Sequence, residues 1–525
     1  MHCLRILVVV FLALVPAGYA RAAATDGSAE RQTVPFEILE AGIPELQIAM
    51  GAGRLTARQL LDYYLARIAA FDRAGPKLNA VAVINPDAQQ IADALDRERA
   101  DKGPRGPLHG IPIIVKDNYE TIGMPTTAGS VLLEGFQPDN DALQVSRLRA
   151  AGAIIIGKAN MHEWGYGITT VGSGFGATRN PYSTQRNPGG SSGGTAAAVA
   201  ANFAVAGMGS DTCGSIRIPA AHNNLVGLRG TQGLSSRRGI VPLSHTQDIG
   251  GPLARSVVDL ALLLDATVGF DAGDPQTADS VGKIPPTYLA ALQPDALRGK
   301  RIGVVENLLL VDPEDTEVVS VIGDALDAIQ ALGAHLERIR IANFAELVGT
   351  RLNGFFVLTY DFKYDINRYL AGHANAPVKS LSEILQSGSY HPAVAEPLRN
   401  SEAMNAASEA DYLAELQHRA VFRRAVLQTM AESELDALAY PTIRRKASLL
   451  GEVQPGSNCR LSANTGLPAI SVPAGFTADG LPVGIELLGG MWQEADLLGM
   501  AYALEQAVKL RRSPVLAATN EQDAW

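Results

Sequence analysis

The chain has 525 residues, 47% of them hydrophobic and 19% charged, so it can bury a large core without staples. Its formal net charge of −10 speaks against a nucleic-acid or anionic-membrane partner. Its nine histidines never take HExxH or HxH spacing and no CxxC occurs, so no metal site is expected.

The first residues read as an export signal. Arg5 precedes an apolar stretch over 6–15 that is too short to span a bilayer permanently. Ala22-Ala23-Ala24 offers a small-x-small cleavage pattern, with Gly18-Tyr19-Ala20 competing. We therefore expect a signal peptide over 1–24, and a periplasmic or secreted protein with no stable membrane insertion after cleavage. Two cysteines remain, Cys213 and Cys459, and the sequence leaves open whether they pair.

Residues 25–105 read as a helical N-terminal arm. Thr56-Ala57-Arg58-Gln59 has capping-box spacing, and Leu60, Leu61, Tyr64, Leu65 and Ile68 recur at helical intervals. Asn85-Pro86 opens a second helix reaching about Ala100. The apolar runs 111–115 and 153–157 then look like strands buried on both faces, with a helix over 141–151 between them. From Gly165 to Gly233 the chain is rich in Gly, Ser, Thr and Ala. The apolar stretch 196–208 within it argues for tight packing of small side chains rather than disorder.

Residues 271–299 are Pro-rich and polar and read as a surface excursion. Strand, helix and strand follow near 301–306, from 315, and at 335–341. The stretch 344–430 is mainly helical. Strands return at 435–440, 469–473 and 482–488 before a last helix from Glu494. This predicts one large α/β domain over 25–525, with residues 106–260 as its functional core.

Lys116 ends the apolar run 111–115. Burial would lower its pKa and make a neutral amine available as a base; pairing with Asp117 would keep it charged. Gly189-Gly-Ser191-Ser-Gly193 formally matches a nucleophile elbow, but polar residues precede it where a strand is needed, and the plain alternative is a flexible loop. Gly209 to Pro219 reads as a sharp turn aiming backbone N–H groups at one point. Such a turn can stabilise an oxyanion, with Ser215 placed to attack, or can bind a phosphate.

Together these residues resemble the amidase signature family from about residue 40 to 510, most densely between Gly110 and Ser256. The spacing is kept: 75 residues from Lys116 to Ser191 and 24 from Ser191 to Ser215. The resemblance implies a twisted, mixed central sheet flanked by helices, and hydrolysis of a carboxylic amide to acid plus amine or ammonia, with no cofactor. It implies Ser215 as acyl-ester nucleophile, Ser191 (after a cis bond from Gly190) as proton relay, and Lys116 as base. Amides from Thr212, Cys213, Gly214 and Ser215 would form the oxyanion hole. Ser192 and Ser210 would support by hydrogen bonding, and Asp211 and Arg217 would pair to hold the loop. Esters should also be cleaved.

The family most often has Gly-Gly before the nucleophile, where this chain has Cys213-Gly214. That thiol would narrow the acyl pocket, meet Cys459, or act catalytically itself. The likeness is nearest to exported bacterial peptide amidases, so the partner expected is a small-molecule amide, without nucleic acid, on a monomer or homodimer.

An amidotransferase A-subunit would share the triad, but export and acidity argue against a tRNA partner. Ser280-Val-Gly-Lys283 has Ser-x-x-Lys spacing yet lacks the companion motifs of a β-lactamase. An exported solute-binding protein would have no use for a lysine and two serines so spaced. Trp164, Phe175, Phe355 and Phe356 are candidates for the acyl pocket or for plain core. Variable segments at 124–136, 164–179 and after 344 are expected to shape that pocket.

Overall fold

The structure, a computed structural model, describes residues 36–349 and 351–517; the expected signal segment lies outside them. Eleven strands form one sheet. In chain order they are β1 (Val81–Ile84), β2 (Pro112–Lys116), β3 (Ile154–Ala159), β4 (Ala206–Asp211), β5 (Val226–Arg229) and β6 (Ile249–Ala254). Then come β7 (Arg301–Val305), β8 (His335–Ile339), β9 (Ala437–Pro441), β10 (Ala469–Phe476) and β11 (Pro482–Leu488).

The spatial order is β1-β3-β2-β4-β6-β5-β10-β11-β9-β7-β8. Parallel pairs join β2 to β3 and β4, and β7 to β8 and β9; the remaining neighbours run antiparallel. The mixed α/β sheet expected from the sequence is thus present. Strands β2, β3 and β4 are buried along their whole length, which is why the runs 111–115 and 153–157 show no polar alternation; β4, at the end of the apolar stretch 196–208, is a strand the sequence reading did not include.

The N-terminal arm holds the helices Ile43–Gly51, Ala57–Arg67 and Ala88–Lys102. Thr56 and Gln59 close the capping box, each accepting from the other's backbone N–H at 3.0 Å. The arm also contributes β1, unread in the sequence because four residues carry too short a pattern; it pairs with β3 at the sheet edge. The stretch 271–299 packs more closely than a surface excursion would, with Tyr288 and Leu297 buried. Helices Phe356–Gly372, Leu381–Ser387, Pro392–Glu402 and Glu409–Glu432 fill most of 344–430. No described helix is long and apolar enough to cross a membrane.

The Gly/Ser/Ala-rich middle is packed, not flexible. Every residue of the helix Gly193–Ala200 is buried, and it lies against β2 and β4. Small side chains are what this closeness requires. A Cβ at Gly194 would stand 2.1 Å from the Asn160 carbonyl oxygen and 2.7 Å from that of Ala80, both rigid backbone atoms. Gly194→Ala should therefore destabilise by at least about 1–3 kcal/mol, the usual cost of overpacking, read as a lower urea midpoint at unchanged m.

Candidate active site

Lys116 is the last residue of β2 and has no exposed surface. Asp117 lies just past the end of β2 and is paired elsewhere, so the possible Lys116–Asp117 pair does not form. Asp117 is taken by Lys158 of β3, whose Nζ lies 3.1 Å away, and by the backbone and hydroxyl of Thr127. Lys116 Nζ lies instead 2.7 Å from Ser191 Oγ and 2.8 Å from Ser210 Oγ. Burial lowers its pKa from 10.5 to about 7, against the weaker pull of Asp248 and Asp211.

Ser191 follows a cis peptide bond from Gly190 and begins the turn into the helix Gly193–Ala200. Ser192 ties this turn to the next: its N–H donates to the Ser215 carbonyl at 3.2 Å and its Oγ to that of Ser210 at 3.2 Å. Ser210 is thus a second hydroxyl partner of Lys116, and Asn118 Nδ2 donates to the same Ser210 hydroxyl at 2.9 Å. The imidazole of His162 is also nearby, but burial holds its pKa at about 3 and its hydrogen bonds go to Thr169, not to either serine.

Strand β4 ends at Asp211, and residues 212–216 turn into the helix Arg217–His222. Asp211 organises this turn. Its carboxylate accepts from the N–H of Gly214 at 2.7 Å and of Ile216 at 3.1 Å, and pairs with Arg217 and Arg229 at 3.1 Å each. Burial alone would raise its pKa, but the two guanidinium groups hold it well below the usual carboxylate range.

The expected Asp211–Arg217 pair is present and larger than expected. Arg217 also meets Glu486 of β11, which in turn accepts from Tyr440 Oη at 2.8 Å. Gly214 departs from the expected hole, since its N–H is spent on Asp211. The amides of Cys213 and Ser215 carry no hydrogen bond among the described residues. Thr212 is fixed through its hydroxyl, which donates to Asp248 Oδ1 at 2.5 Å; the other oxygen of Asp248 accepts the N–H groups of Leu243 and Ser244.

Ser215 opens onto a cavity of about 450 Å³. Thr212, Cys213 and Cys459 form its inner wall, and Leu243, Phe355 and Leu358 its apolar side. Glu396 is the one carboxylate lining it among the described residues. Of the aromatic candidates, Phe355 lines the cavity, Trp164 sits in the neighbouring core, and Phe175 and Phe356 do not reach it. Within the segment 164–179, Gly165 to Ile168 contribute; nothing from 124–136 does. Cys213 and Cys459 are joined as a disulfide, which removes the reading of Cys213 as a free catalytic thiol.

Sequence reasoning missed Asn118, Arg229, Asp248, Glu486 and Lys158. Lys158 and Glu486 carried a usable signal, a charged residue inside an apolar strand; Asp248 stood in a stretch with no readable pattern. Asp117→Asn should leave Lys158 buried without its anion. We expect a loss of about 3–5 kcal/mol in denaturant unfolding, the cost of breaking a buried pair from one side.

The family model for amidases matches residues 59–498. A probable amidase of Arabidopsis thaliana is 34% identical over 93% of this chain and 94% of its own. A glutamyl-tRNA(Gln) amidotransferase subunit from Halorhodospira halophila is 37% identical over 88% of this chain and 96% of its own. The crystal structure of the peptide amidase of Stenotrophomonas maltophilia superposes with a TM-score of 0.84 at 40% identity, covering 92% of this chain and all of that one. The family match spans most of the chain, and its range contains Lys116, Ser191 and Ser215: the protein belongs to the amidase family and is an amidase-signature hydrolase.

Proposed function

We propose that the protein hydrolyses small carboxylic amides through an acyl-enzyme on Ser215. The observation that carries this reading is Lys116, buried without a carboxylate partner and 2.7 Å from Ser191 Oγ. A neutral amine has one lone pair and two N–H groups. It accepts the Ser191 hydroxyl proton while donating to Ser210 Oγ and the Ser210 carbonyl.

Ser215 Oγ attacks the substrate carbonyl carbon. Its proton moves to Ser191 Oγ as the Ser191 proton moves to Lys116 Nζ. The carbonyl oxygen becomes an oxyanion facing the Cys213 and Ser215 amides, with Thr212 beside them. When the C–N bond breaks, the proton returns from Lys116 through Ser191 to the leaving nitrogen. Water then repeats the sequence on the ester, so amide plus water gives acid plus amine or ammonia. Ser192, Ser210, Asp211 and Arg217 hold the geometry.

The mostly apolar cavity favours an apolar acyl group over an anionic one, since Glu396 would repel a substrate carboxylate. Likeness to a peptide amidase over that enzyme's whole length favours peptide-type amides within this class. The amidotransferase subunits among the relatives support a second reading, release of ammonia from glutamine inside a complex. Turnover of an amide panel by the chain alone supports the hydrolase; activity on glutamine that appears only with partner subunits supports the other. We also propose an exported protein, supported by Arg5 with its apolar stretch and by a disulfide of the kind oxidising compartments maintain. Recovery of a disulfide-bonded chain lacking the first 24 residues from the periplasm or medium tests this.

A fluorophosphonate should label Ser215 stoichiometrically. Ser215→Ala should lower kcat by about 10⁴-fold or more, with Lys116→Ala close behind and chelators without effect. Full activity in Ser215→Ala would sink the mechanism. The active form of Lys116 is the neutral one, populated above its pKa of about 7. A plot of kcat/KM against pH should therefore be level above that value and fall about tenfold per unit below it.

A further inference from the structure

Cys213 and Cys459 stand 246 residues apart in sequence, and their disulfide brings the Cα atoms to 5.0 Å. Its position is unusual in one respect. Cys213 lies in the turn that ends at Ser215, and both half-cystines line the cavity onto which Ser215 opens. Cys459 is the residue at the start of the helix Arg460–Thr465, on an otherwise separate part of the chain.

The turn therefore has two anchors. The first is ionic: Asp211 holds Gly214 and Ile216 by their amides, and Arg217 and Arg229 hold Asp211. That anchor reaches Gly214 and beyond, but it makes no contact with the Cys213 amide. The second is the disulfide, which fixes Cys213 itself against Cys459. The two anchors meet at one point, because Arg217 Nη2 donates to the Cys459 carbonyl at 3.3 Å. Between them the turn is stacked closely on the helix start. Gly214 has φ +88°, and a Cβ there would stand 2.9 Å from Cys459 Cβ.

We propose that the Cys213–Cys459 disulfide is a positioning element for acyl transfer: it aims the Cys213 N–H at the developing oxyanion and forms the inner wall of the acyl cavity, so turnover depends on its oxidation state. The proposal rests on the acyl-enzyme reading above. A cross-link serving stability alone would raise the unfolding midpoint but leave kcat unchanged well below it. A positioning element changes kcat at that temperature, because a displaced oxyanion donor weakens stabilisation of the transition state.

The test uses the whole mature protein. A dithiol such as dithiothreitol attacks one sulfur of the bridge and releases the other as a thiolate. Its second thiol then closes to a cyclic disulfide. Two electrons and two protons pass from the dithiol to the protein, which gains two countable thiols. Fluorophosphonate titration gives the concentration of intact Ser215 sites, and assays run well below the unfolding midpoint of each form.

We expect kcat per titrated site to fall about 10- to 100-fold on reduction and to recover on reoxidation with glutathione disulfide. Cys213→Ser combined with Cys459→Ser keeps the 213 amide and should show the same lowered kcat, with no response to the dithiol. It should also shift kcat/KM toward bulkier acyl groups, since the wall has been cut. A kcat within twofold of the oxidised protein, in the reduced enzyme and in the double variant alike, overturns the proposal while leaving the acyl-enzyme intact. If the double variant does not fold, reduced wild type alone decides. Failure of oxidised wild type to label at Ser215 would instead remove the reading on which the proposal rests.

Discussion

The site depends on keeping a lysine inside the protein with no anion in contact with it. An ammonium group taken out of water is strongly disfavoured, and a neighbouring carboxylate would restore it and remove the base that the proposed mechanism needs. Every acidic group near Lys116 is accordingly occupied elsewhere. Asp117 is satisfied by Lys158 and Thr127. Asp211 is shared between Arg217 and Arg229, and Asp248 is held by the Thr212 hydroxyl and two backbone amides. What remains for Lys116 is a pair of serine hydroxyls and a carbonyl, which satisfy an amine without forcing a proton on it.

The same constraint explains the composition of the middle of the chain. Excluding water from Lys116 means bringing the loop of Ser191, the strand of Ser210 and the turn of Ser215 against the end of β2. Only small residues permit such approach. Gly209 shows it: a Cβ there would lie 2.8 Å from Ser192 Oγ. A stretch that resembles a linker by composition is thus among the most densely packed parts of the molecule, and the apolar residues 196–208 inside it supplied the clue.

How much could be read in advance follows from what is local. Long apolar runs gave β2, β3 and β11, and the capping box marked the start of the helix Ala57–Arg67. Lys116, Ser191 and Ser215 were recognisable by their separations, not by their immediate neighbours. The strands β1, β4, β5 and β6 escaped because β1 and β5 are four residues long and β4 and β6 are interrupted by glycines. The destinations of Asp117, Arg229 and Glu486 escaped for another reason. A charged residue in an apolar strand announces that a partner exists, but the partner is set by the sheet order. That order leaves β6, β5 and β10 between β4 and β11, and it is the helix Arg217–His222, packed across β5, β10 and β11, that lets Arg217 bridge Asp211 and Glu486. The Cys213–Cys459 contact belongs to the same class.

Activation and stability pull against each other at Lys116. In the unfolded chain its amine keeps a proton up to about pH 10.5; in the folded chain it gives that proton up near 7. Between these values the unfolded state binds more protons, so this group's contribution to stability rises with pH across the window and is least favourable near neutrality and below. The fold supports the cost through interactions that do not titrate there. Asp211 stays ionised far below this range and Arg217 stays charged far above it, so the ionic anchor of the turn is constant while Lys116 changes state. Separating the two functions has a consequence for the proposed mechanism: protonation of Lys116 would switch off proton transfer without loosening the turn proposed to receive the oxyanion, so one group would gate the chemistry while the geometry waits unchanged.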